Sequence, residues 1–169
     1  MTHKNSHLRP KIALYEPDIP QNTAAILRTC ACLGADLEII QPCGFLMSDK
    51  RFKRVAMDYM DEKIIKFYSS AEEFFSNKFE ERIILMTTKG SRSYTSFKFK
   101  INDTLLFGRE SAGVPEKIHK IIKNNLRMPL IWESCIFHII LKNEEIITKI
   151  CEYTIRKYKI FTSCFRESG

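Results

Sequence analysis

Six short apolar runs, alternating with helical patterns, restrict this chain more than any other feature it has. KIALY (11–15), DLEII (36–40), KIIKFY (63–68), RIILMTT (82–88), DTLLF (103–107) and LRMPL (126–130) all have strand length. Several are continuously apolar, as strands covered on both faces must be. Between them, Asn22 or Thr23 is placed to cap a helix that Gly34 ends after Leu33. Ser48 is placed to cap a second helix, in which Phe52, Val55, Ala56 and Tyr59 fall on one face. Ser70 and Glu73 have the spacing of a capping box before a third, and Pro115 opens a fourth, EKIHKIIKN. The alternation predicts an α/β domain: a mostly parallel six-stranded sheet with helices on both faces.

In such sheets a ligand sits beyond the carboxyl ends of the strands. Three runs end in small or polar turns: TTKG (87–90), FGRESAGVP (107–115) and PLIWES (129–134). Side by side, they would form one pocket. Neither GxGxxG nor GxxxxGK[ST] occurs, so no dinucleotide fingerprint or phosphate-gripping loop is present. Glycines and apolar strand ends without a phosphate cradle suit a nucleoside-like ligand.

The chain has 169 residues, which fits one domain, and the net charge of +7 favours an acidic partner, nucleic acid first. The six cysteines show no CxxC pair and no zinc-ligand spacing, so no metal is expected. No apolar run is long enough to span a membrane, and MTHKNSHLRP lacks an apolar signal core, which makes the expected location cytoplasmic. Residues 1–10 read as a disordered polar tail, 11–160 as the domain and 161–169 as a C-terminal tail.

The run IALYEPDIPQNTAAILRTCACLGADLEIIQPCGFLMSDKRFKRVAMDY (12–59) resembles the SPOUT superfamily, and within it the tRNA 2′-O-methyltransferases that modify wobble nucleotide 34. LMTTKG (85–90), LLFGRESAGVP (105–115) and LRMPL (126–130) extend the resemblance. It implies a C-terminal trefoil knot, a homodimer, and S-adenosyl-L-methionine held bent in the knot. The implied methyl acceptor is the ribose 2′-hydroxyl of C34 or U34 in certain leucine tRNAs.

Site residues follow from the same resemblance. Arg28, in NTAAILR, matches the first-motif arginine; it would contact RNA and favour the developing 2′-alkoxide. Met86, Gly108, Met128 and Ile136 fall at cofactor-pocket positions, with the missing side chain of Gly108 expected to admit a ligand. Glu110 is either a brace for its loop or a surface carboxylate. Lys50, Arg51, Lys53 and Arg54 line a polar helix face that suits tRNA phosphates. Ala24 stands where the family commonly has glycine.

The resemblance stops after LRMPLIWES. Where the family continues Ser-Arg-Ser-Leu-Asn-Leu, this chain has Cys135 for the arginine, Ile136 for the second serine and His138 for the asparagine. Either the tail has diverged around a pocket made largely of backbone, or a reading-frame disruption near residue 134 has replaced it. The second leaves a catalytically impaired RNA-binding remnant of the same fold.

Overall fold

A computed structural model describes residues 9–56 and 64–128, with the side chains of Arg51 and Val55 left out of the description. Within them run β1 (Lys11–Tyr15), α1 (Pro20–Leu33), β2 (Asp36–Ile40), α2 (Lys50–Ala56), β3 (Ile65–Tyr68) and α3 (Ala71–Asn77). Then come β4 (Ile83–Thr87), β5 (Arg92–Ser93), β6 (Thr104–Phe107), α4 (Glu116–Ile121) and β7 (Asn124–Arg127). The strands form one sheet in the order β3-β2-β1-β6-β4-β7-β5, and every pairing between them is parallel. Among the described residues the sheet thus has seven strands where six were expected. The addition, β5, pairs only Arg92 with Leu126 and Ser93 with Arg127, too short a stretch to leave an apolar run.

Alternation along each strand places helices on both faces. In β1, Ile12 and Leu14 enter one apolar cluster with Leu27 and Cys30 of α1 and Phe52 of α2. Ala13 and Tyr15 enter the other, with Phe74 of α3 and Ile118 of α4. A central strand must be apolar at every position to serve two cores, which is why KIALY reads as an unbroken run. Full burial of a side chain such as Leu106 or Phe107 contributes about 1.5–3 kcal/mol.

Helix ends differ from expectation in instructive ways. α1 begins at Pro20, preceded by Ile19, which makes no side-chain cap. Proline at the first helical position lacks an N–H that would be orphaned there anyway, so Asn22 and Thr23 fall inside the helix. Gly34 ends it as expected, in the left-handed region at φ 66. α2 starts at Lys50, so Asp49 rather than Ser48 precedes its first turn; its expected end at Tyr59 lies outside the described residues. The Ser70 hydroxyl accepts from the Glu73 N–H (3.2 Å), while the Glu73 carboxylate reaches one residue further back, to the N–H of Ser69 (2.7 Å). α4 stops at Ile121 because Asn124 already enters β7 beside β4. That strand starts two residues before the expected LRMPL, whose last two residues are outside the described set.

Candidate active site

The sheet order sets the carboxyl ends of β1, β6 and β4 next to one another. The segments leaving them, 16–22, 108–115 and 88–90, therefore converge. A cavity of ≈ 440 Å³ opens there, lined by Leu85, Met86 and Thr87 from β4, Gly108, Glu110 and Val114 from the loop after β6, and Asn22 from α1. That volume lies in the range of small-molecule sites, about 300–1,000 Å³. TTKG and FGRESAGVP do meet at one site; PLIWES lies beyond the described residues.

The loop after β6 is shaped by its two glycines. Arg109 and Gly113 exchange backbone hydrogen bonds of 3.1 and 2.7 Å, closing a tight turn. Gly113 sits at φ 69, where a side chain would strain the backbone. A Cβ on Gly108 would lie 2.6 Å from the carbonyl carbon of Gly113 and 2.8 Å from the nitrogen of Val114. Its bare α-carbon is needed for the loop to fold onto itself, a role beside the expected one of admitting a ligand.

Glu110 is a brace. One carboxylate oxygen accepts from the Asp18 N–H at 2.8 Å, and the other lies 3.4 Å from the Asn22 side-chain amide. Asp18 in turn accepts from the hydroxyl of Ser111 and from its N–H, the latter at 3.2 Å. Two nearby groups, Cys43 and Tyr15, stay neutral at pH 7. Burial, followed by Glu110 and Glu16, pushes the Cys43 thiol up to about 11, and burial with a hydrogen bond to Glu16 pushes the Tyr15 phenol up to about 12. Neither is a thiolate or phenolate nucleophile at that pH.

Met86 and Gly108 both line the cavity. Met128 does not line it: this side chain is buried in the core cluster with Met86, while its N–H donates to the carbonyl of Thr87 at 2.9 Å. Ile136 falls outside the described residues. Arg28 also stands apart from the cavity lining, on an exposed stripe of α1 with Gln21, Ala25 and Cys32. Lys50, Lys53 and Arg54 are exposed on α2, which packs against α1. The sequence marked Asn22 only as a helix cap and did not single out Glu16, Asp18 or Arg109, although the density of polar residues in EPDIPQN directly after a buried strand was a usable signal. Among the described residues, no group of three or more His, Cys, Asp or Glu is arranged to hold a metal ion, and no helix is long and apolar enough to cross a membrane.

The model of the SpoU rRNA Methylase family matches residues 9–134. The chain belongs to that family. A tRNA (cytidine(34)-2′-O)-methyltransferase from Beijerinckia indica is 46% identical over 121 residues, 70% of this chain and 76% of the relative. The Escherichia coli K12 protein of the same name is 34% identical over 125 residues, 73% of this chain and 80% of that one. A solved structure from work on the 2-OH methylation of C/U34 on tRNA is 28% identical, with TM-score 0.68, covering 88% of this chain and 95% of its own. An AdoMet-bound rRNA methyltransferase from Sinorhizobium meliloti shares the fold at 19% identity and TM-score 0.66, covering 86% of this chain and 56% of its own. The SpoU match ends at residue 134, where the resemblance to the family's C-terminal pattern also stops.

Proposed function

We propose that this SpoU-family chain transfers a methyl group from S-adenosylmethionine to the ribose 2′-hydroxyl of the wobble nucleotide, C34 or U34, of a tRNA. Leucine tRNAs are the proposed substrates and a homodimer the proposed working form. The observation that carries this is the 46% identity to a tRNA (cytidine(34)-2′-O)-methyltransferase across most of the domain. The cavity supports it: apolar walls from Leu85, Met86 and Val114 beside the backbone of Gly108 fit a nucleoside-bearing cofactor. When bound, the cofactor supplies an electrophilic methyl on a sulfonium. Met86, Gly108 and Val114 would hold it against the cavity wall, and the ribose hydroxyl would accept that methyl group on its oxygen and give up its proton to solvent.

The chain's own residues bind and orient. Glu110 has both carboxylate oxygens engaged by Asp18 and Asn22, so it holds the cavity loop rather than serving as a base. Arg28 is assigned to the RNA, where a permanently charged guanidinium favours developing negative charge on the 2′-oxygen. Lys50, Arg51, Lys53 and Arg54 are assigned to tRNA phosphates, which supply affinity without reading sequence. Arg28→Ala should abolish transfer to tRNA while leaving cofactor affinity intact; wild-type turnover would remove Arg28 from the mechanism.

A second reading is favoured by the family match stopping at residue 134, just before Cys135, Ile136 and His138. On it, the chain is an impaired RNA-binding remnant. Labelled cofactor with bulk tRNA separates the two: methylation of the 2′-oxygen supports the first, and tRNA binding without transfer supports the second.

A further inference from the structure

Arg109 joins the cavity wall to a segment 93 positions away in the chain. Its Nε donates to the Glu16 carbonyl at 3.1 Å, and a terminal nitrogen donates to the Glu16 carboxylate at 2.5 Å. The same Nε lies 3.3 Å from a carboxylate oxygen of Asp18. One guanidinium therefore grips a backbone oxygen and two acids, which a lysine ammonium on its flexible stem cannot reproduce as a planar fork.

Glu16 needs that grip. It has φ 44, the one positive φ outside glycine among the described residues. A non-glycine residue persists in the left-handed region only where its surroundings over-determine it. Its N–H donates to the carbonyl of Ile40 at 2.9 Å, and Arg109 takes its carbonyl and its carboxylate. Glu110 and Ser111 hold Asp18 from the same loop. Arg109 is the one basic residue of this loop, and it stands against both Glu16 and Asp18. Pro17 and Pro20, with fixed φ, carry the constraint into α1, whose exposed stripe includes Arg28.

We propose that Arg109 is a positioning residue for methyl transfer. It clamps the cavity loop onto the β1–α1 turn, so that the cofactor wall and the helix bearing Arg28 keep one fixed spacing. This rests on the methyltransferase reading above.

The test compares the wild-type chain with Arg109→Ala, Arg109→Lys and Glu16→Gln. Calorimetry gives the dissociation constant for S-adenosylmethionine, and amide hydrogen exchange is followed in cofactor-free protein. Arg109→Ala should weaken the cofactor by about tenfold, the worth of a charge-assisted hydrogen bond. Exchange at Asp18 and Gly113 should accelerate together. Arg109→Lys should recover part of both effects, and Glu16→Gln in the Arg109→Ala background should add less than it does alone. Unchanged exchange at Asp18 would overturn the clamp. Faster exchange with a dissociation constant within twofold of wild type would reduce Arg109 to a structural role and overturn the proposal as well. A wild-type chain that does not bind S-adenosylmethionine would refute the cofactor reading instead. The clamp would then stand or fall on the paired exchange alone.

Discussion

The two ends of the sheet use the same chemistry for different purposes. At the amino ends, Arg82 meets Asp103 through two bonds of 2.6 Å, and Asp103 also accepts from the Lys100 N–H at 2.7 Å. Lys11 and Lys78 each reach Glu81 at 2.8 Å, and Lys78 reaches Glu38 at 2.7 Å. These pairs tie the starts of β1, β4 and β6 to the segment after α3. At the carboxyl ends, Arg109, Glu110 and Asp18 tie loop to loop around a cavity. Ion pairs that fasten strands serve the fold, whereas ion pairs that fasten loops set the shape of a pocket.

The sharpest way to break that contrast is at the amino end, where the Lys78 and Glu38 side chains are only 3% and 6% exposed. Lys78→Met should destabilise the chain by about 3–5 kcal/mol, because it strands a buried carboxylate. One oxygen of Glu38 already lacks a partner among the described residues. Combining it with Glu38→Leu should restore most of the loss, read from denaturant midpoints, with cofactor affinity unchanged in both variants while folded. A cofactor defect in the folded single variant would erase the distinction between the two ends.

At the carboxyl end the balance should invert. Gly108→Ala forces a methyl against the backbone of Gly113, an overpacking cost of about 1–3 kcal/mol. Displacement of the loop should cost more in cofactor affinity than in stability. Thermal midpoints and a cofactor titration measure the two separately, and a normal affinity would show that the loop shape does not matter to the pocket.

The smallest effect is a pH dependence at the amino end. Burial alone would raise the Glu81 carboxyl, but the bonds from Lys11 and Lys78 outweigh it and hold its pKa below the ordinary value. Its stabilisation is therefore complete above the unfolded carboxylate value, about 4.3, and is lost as pH falls through the lowered folded value. Glu81→Gln should flatten that part of a thermal-midpoint profile. A profile identical to wild type would mean that Glu81 contributes nothing in acid.

Much of the architecture was legible because a doubly covered strand leaves an unmistakable run, and KIALY, DLEII and DTLLF are such runs. β5 was invisible, since two residues carry no period. The start of α1 was misplaced because proline preorganises a helix without offering a cap, and Asn22 looked like the better start. At the site, the turn glycines marked a loop that lines the cavity, and Gly108 also makes room for Gly113. The clamp was hidden for a different reason: nothing local in EPDIPQN or FGRESAGVP shows that β1 and β6 are neighbours, and only the sheet order brings Arg109 to Glu16.

That neighbour relation also governs how the chain emerges from a ribosome. β1 can pair with β2 as soon as Ile40 is made, but its other partner begins at Thr104. At about 5–20 residues per second of synthesis, the wait lasts roughly 3–13 s. β4 waits too, because both of its partners, β6 and β7, come later in the chain. During this interval β1 presents an unpaired apolar edge, the form of strand most prone to pairing with a foreign one. The late arrival of Thr104–Phe107 is thus the event that joins β1 to β4 across the middle of the nascent sheet, and the same four residues deliver the cavity loop to its place.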